Sequence, residues 1–110
     1  MDSRLIFEAS QHLKPKINWI TVGESEWQYF GAESEVNSQF VIEKIDSFFR
    51  DSHFYVSYSR SESFETSFST FIPSVAKLLG FQNFMVWDHS FNKVIEFSHI
   101  GVLRCGYIKS

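Results

Sequence analysis

A chain of 110 residues, 44% hydrophobic and 18% aromatic with 13 phenylalanines, can fill the core of one domain and is too short for two. Its net charge of -3 and ten scattered basic residues, no three of them adjacent, lack the basic stripe of a direct DNA or RNA binder. A single cysteine excludes an internal disulfide, and neither a signal-peptide pattern nor a membrane-length apolar run is present, so the expectation is a reduced, soluble, cytoplasmic protein.

No internal repeat or linker divides the chain. Residues 1–16 read as a short helix, with Leu5, Ile6, Ala9 and Leu13 at helical spacing and Pro15 closing it. "INWITVG" reads as a strand over residues 17–23, ended by Gly23. Residues 24–35, "ESEWQYFGAESE", are irregular and combine four glutamates with Trp27, Tyr29 and Phe30. A helix follows, with Ser34 as the expected N-cap and one apolar stripe of Val36, Phe40, Val41, Ile45, Phe48 and Phe49.

"HFYVSYS", residues 53–59, has the composition of a buried strand. In the next twenty residues Phe64, Phe68, Phe71, Ile72, Val75, Leu78 and Leu79 share one helical face. Pro73 fits three positions after a Thr70 cap, where the backbone N–H is free, so a helix is expected over 71–79, stopped by Gly80, with helix or loop before it in "RSESFETSFS". Three strands complete the chain, at 83–88, 93–100 and 102–109. The turn "HSFN" separates the first two, and Gly101 the last two.

A strand, helix, strand order between residues 53 and 88 predicts a right-handed parallel crossover, and the tight turns after it predict antiparallel hairpins. The expected fold is therefore a single α+β domain. It has one mixed, mostly antiparallel sheet, two to three helices and a C-terminal three-stranded meander.

The stretch Phe91–Tyr107 holds Glu96, His99, Arg104 and Cys105, the residue types of an active site. Strand alternation separates Glu96 from His99, because Ile95, Phe97 and His99 share one face and Val94, Glu96 and Ser98 the other. His99 then reads as a hydrogen-bonded core residue. Cys105 has no metal-ligand spacing, and a Cys–His pair with His99 across the hairpin is a rival reading. Gly101 and Gly106 read as a turn and a bulge. No nucleotide loop, paired-histidine motif or nucleophile elbow is present, and His12, His53 and His89 stand apart from other ligand types. The expectation is no catalytic residue, no metal and no cofactor.

A surface for a protein partner remains. Interface cores favour aromatic side chains, and acids around them suit a basic partner. Trp27 and Tyr29, flanked by Glu24, Glu26, Glu33 and Glu35, fit that mixture. The alternative partner-binding surface is the 88–92 turn beside residues 57–69, with Glu62, Asp88 and His89 as its candidates.

Residues 71–106, "FIPSVAKLLGFQNFMVWDHSFNKVIEFSHIGVLRCG", resemble the C-terminal part of small bacterial immunity proteins that accompany contact-dependent growth-inhibition toxins and related polymorphic toxins. The resemblance covers about a third of the chain and rests on the aromatic strand, the Asp-containing turn, "VIEF" and "GVLRCG". It implies a cytoplasmic protein that binds one cognate toxin domain, often a nuclease, and carries over no contact residues. Two other classes stay open. One is a small enzyme or ligand-binding domain using the sheet face near His99, Arg104 and Cys105. The other is an adaptor that dimerises through a sheet edge or helix face.

Overall fold

Asp2 starts the first helix. Its Oδ1 accepts a hydrogen bond from the Leu5 N–H at 2.9 Å and caps α1 (Ser3–Leu13), which runs into a 3-10 turn containing Pro15. The computed structural model describes residues 2–109, so Met1 of the expected helical segment lies outside it. β1 (Ile17–Trp19) is shorter than the expected strand, because beyond Ile20 the chain leaves the sheet and folds on itself before β2 (Gln28–Tyr29).

Helix α2 (Ser38–Phe48) is capped by Asn37, whose Oδ1 accepts from the Phe40 N–H at 3.0 Å. Ser34 is not the cap: Glu33–Glu35 forms its own 3-10 turn and Val36 is extended, so the helix starts later than its apolar periodicity predicts. Val41, Ile45 and Phe49 of the stripe are buried, Phe49 lying just past the end of α2.

The main correction concerns residues 60–79. β3 (His53–Ser57) is followed by a strand, β4 (Phe64–Ser67), in a hairpin that pairs Val56 with Phe64 and His53 with Ser67. Cross-strand pairing thus outweighs the helical periodicity at Phe64, and Phe68 opens a 3-10 turn, Phe68–Thr70. The helix after Thr70, α3 (Phe71–Val75), is half the predicted length; turns fill the rest up to Gly80, which ends the segment at φ +85°.

β5 (Phe84–Asp88) pairs with β3 antiparallel, so the predicted parallel crossover between them does not form. The helical connection instead joins β4 to β5, two strands that run the same way on either side of β3. β6 (Lys93–Phe97) and β7 (Val102–Ile108) complete the expected meander. Among the described residues the α+β fold carries three α-helices and a seven-stranded antiparallel sheet, ordered β1-β7-β6-β5-β3-β4 with β2 also on β7.

The sheet is buried on both faces, which explains why all five residues of β5 are inside. On the face under α2 and α3, phenylalanine rings form a chain: Phe49–Phe54 at 5.2 Å between centroids, Phe54–Phe71 at 6.2 Å, Phe71–Phe97 at 6.4 Å and Phe97–Phe30 at 5.6 Å. Each such buried ring contributes roughly 1.5–3 kcal/mol. On the other face α1 covers Tyr55, Met85, Trp87 and Val94, and the Trp87 indole N–H donates to Ser10 Oγ at 2.9 Å.

Two smaller expectations change with this sheet. β6 ends at Phe97, so His99 sits exposed in the turn, its backbone N–H donating to Asn83 Oδ1 at 2.8 Å, and is no core residue. Gly106 makes no bulge; it pairs in register with Val94 and Trp19, and a Cβ there would come within 2.8 Å of the Trp19 ring. No helix among the described residues is long and apolar enough to cross a membrane.

Candidate functional site

β1 and β2 lie on the same edge of β7, opposite 106–108 and 102–103 respectively. The chain between them therefore makes an excursion from the sheet at the level of Arg104 and Cys105. Ile20 N–H still donates to the Cys105 carbonyl at 2.8 Å. Val22 and Ser25 then exchange backbone hydrogen bonds of 2.8 and 3.4 Å, leaving Gly23, at φ +66°, and Glu24 as the exposed tip of a tight turn.

Arg104 ties this excursion down. Its guanidinium lies 3.8 Å from the ring centroid of Trp19 and 4.5 Å from that of Trp27, one indole at each end of the loop. Nε donates to Glu96 Oε1 at 2.7 Å, its cross-strand neighbour, and a terminal N–H donates to Glu26 Oε1 at 2.8 Å. With only 20% of its side chain exposed, Arg104 has two π faces and two carboxylates around a planar, always-charged group. Such an arrangement holds the loop in one shape.

The six acidic and aromatic candidates therefore divide. Glu26 and Trp27 are engaged with Arg104 while remaining partly exposed. Tyr29, 64% exposed, is the most exposed large hydrophobic side chain among the described residues, and Glu24, Glu33 and Glu35 are also exposed. None of these three glutamates is in an ion pair among the described residues. Residues 17–43 contain five glutamates and no lysine or arginine, whereas the remaining eight acids and ten bases leave the rest of the chain net positive. The negative charge is segregated into the part of the chain that carries the loop.

The alternative candidates do not share one surface. Asp88 is buried in its own turn, its Oδ1 accepting from the Asn92 and Lys93 N–H groups at 2.8 and 3.0 Å. His89 packs against Tyr55, Nε2 lying 3.1 Å from the phenol oxygen and 3.2 Å from Glu65 Oε2. Glu62 lies in the turn at the opposite end of the β3–β4 hairpin, where its N–H donates to Ser59 Oγ at 3.1 Å. A strand length, on the order of 15 Å, separates it from His89.

The enzyme-like residues are also apart. Cys105 faces the α2 side of the sheet, and burial pushes its thiol from 9.0 up to about 11, away from nucleophilic thiolate. It pairs with Ile95, whereas His99 lies beyond Phe97, so the Cys–His pair does not form. Among the described residues no group of three or more ligand-type side chains is placed to hold a metal. An open cleft lined by Tyr58, Glu62, Phe64, Ser74, Lys77 and Leu78 holds about 240 Å³, below the usual range for small-molecule sites.

Sequence reasoning treated Arg104 only as a member of that rival site and missed its role in ordering the loop. The available signal was the pair of tryptophans bracketing a glycine-turned, acidic excursion. Comparisons with protein-family models, curated proteins and solved structures find no match.

Proposed function

We propose that this chain is an immunity-type inhibitor that binds a basic toxin domain, most simply a nuclease, and neutralises it in a one-to-one complex. The observation that carries this reading is the segregation of negative charge into residues 17–43, coincident with the exposed Tyr29, Glu24, Glu33 and Glu35. A nuclease cleft must carry lysine and arginine to hold phosphates, and carboxylates on a shaped surface can occupy that cleft. The sheet-anchored loop lowers the ordering cost of such a contact. The buried, protonated Cys105 and its distance from His99 favour binding over thiol chemistry.

The reading is tested by co-production. The toxin-type domain encoded beside this chain should arrest growth when produced alone, and this chain should restore it. A neighbouring locus without such a domain, or toxicity that this chain leaves unchanged, would overturn the proposal.

A further inference from the structure

Three loops meet at one end of the sheet. Phe30 and Gly31 donate their N–H groups to the Gly101 carbonyl at 2.8 and 3.2 Å, Glu33 donates to the Gly80 carbonyl at 3.3 Å, and His99 donates to Asn83 Oδ1 at 2.8 Å. The backbones approach so closely that a Cβ on Gly101 would lie 2.7 Å from the Gly31 carbonyl carbon. Residues 29–35, 80–83 and 98–101 are thereby joined through backbone hydrogen bonds and the Asn83 side chain.

That surface carries three of the four most exposed large hydrophobic residues: Tyr29 at 64%, Ile100 at 60% and Phe81 at 52%. Tyr29 ends β2, and Phe81 and Ile100 come from two separate turns. Glu33 and Glu35 lie in the same group of loops, and Glu33 holds φ +54°, a left-handed conformation uncommon for a residue other than glycine. Backbone strain retained at an exposed acid is a reason to look for function there. Exposed apolar groups gathered beside acids are the composition of an interface centre and its rim.

We infer that this three-loop end is the docking face for the basic protein partner, with Phe81 and Ile100 as anchors beside Tyr29 and with Glu33 and Glu35 meeting its cationic groups. The inference rests on the inhibitor reading for the identity of the partner, and the charge segregation selects a basic occupant. It extends the contact beyond residues 23–35 to two loops that sequence reasoning did not single out.

The test measures dissociation from the catalytically silenced toxin domain encoded beside this chain. Phe81→Ala and Ile100→Ala should each dissociate at least about tenfold faster, as expected for interface anchors. Ile100→Lys, which sets a cation against a basic partner, should be worse still. Tyr107→Ala, at the far end of β7, should match the wild type, and melting temperatures should stay unchanged. Wild-type binding with unaltered Phe81 and Ile100 variants would overturn the docking face and leave the inhibitor reading standing. A wild-type chain that fails to bind the domain at all would overturn both.

Discussion

The guanidinium of Arg104 lies 4.5 Å from the ring centre of Trp27 and joins the second strand-edge segment to the middle of β7. With Trp19 at 3.8 Å and Glu26 and Glu96 accepting its hydrogen bonds, Arg104 is the residue on which the acidic loop closes. Arg104→Ala removes both π contacts and leaves the half-buried Glu96 without its partner, at a cost of about 3 kcal/mol. For a domain of this size that lowers the melting temperature by on the order of 10 °C. Tryptophan emission should shift to the red as Trp19 and Trp27 open to water. Arg104→Lys should recover only part of the loss, because a lysine cannot stack as a plane between two rings. Unchanged emission and melting in Arg104→Ala would show that the loop does not depend on this contact.

Tyr29 and Trp27 are two residues apart but face different duties. Tyr29→Ala removes an exposed ring and should change stability by less than about 0.5 kcal/mol. Its effect should appear in binding, as roughly 2 kcal/mol of affinity lost through faster dissociation. Trp27→Ala should cost both stability and binding, since its ring also covers Arg104. Equal stability losses in the two variants, measured by urea denaturation, would contradict this division.

Gly101, at φ +91°, has no room for a side chain against Gly31 and Ala32. Gly101→Ala should destabilise by about 2 kcal/mol through strain and collision combined. Faster amide exchange at Phe30, Gly31 and Glu33 should follow, because these donate the hydrogen bonds that join the loops. If exchange there is unaltered while the protein remains folded, the loops are not locked through Gly101.

Much of this fold was legible from residue pattern. Alternation in 94–97 assigned the correct sheet faces, and Pro15, Gly80 and the "HSFN" turn stand where the chain changes direction. The failures share a cause. Phe64 belongs to a helical periodicity that a hairpin with β3 overrides, and no local signal reports which strand lies across from Val56. The acidic loop was likewise visible as composition. Its internal division was not, because the pairing of Glu26 and Trp27 with Arg104 depends on β7 arriving beneath them.

Cys105 supplies a prediction in pH. Its thiol is raised from 9.0 to about 11 by burial, so the folded state holds the proton more tightly than the unfolded chain. The resulting stability is complete below pH 9.0 and is lost as pH rises through about 11, amounting to about 2–3 kcal/mol. Other groups titrate in that window, so the comparison is with Cys105→Ala. The stability difference between the two proteins should fall across it, and native Cys105 should react with a thiol reagent at pH 8 only after denaturation. Rapid labelling of the folded protein would sink this assignment.

The acids should separate by salt bridge. Glu26 neutralises Arg104 and contributes little field outward, whereas Glu24, Glu33 and Glu35 face solvent with no ion pair among the described residues. Exposed charges act mainly on association, and their influence falls as ionic strength rises. Glu33→Lys with Glu35→Lys should therefore slow association with the proposed basic partner roughly tenfold at low salt, flatten its salt dependence and leave the melting temperature within about 2 °C. Glu26→Lys should do the reverse. It sets a cation beside Arg104, so it should lower the melting temperature and weaken binding by disordering the loop, even at high salt. Stopped-flow association rates over a range of sodium chloride, taken with thermal melts, distinguish the two classes. Equal salt dependence for all three positions would place the electrostatic contact elsewhere on the molecule.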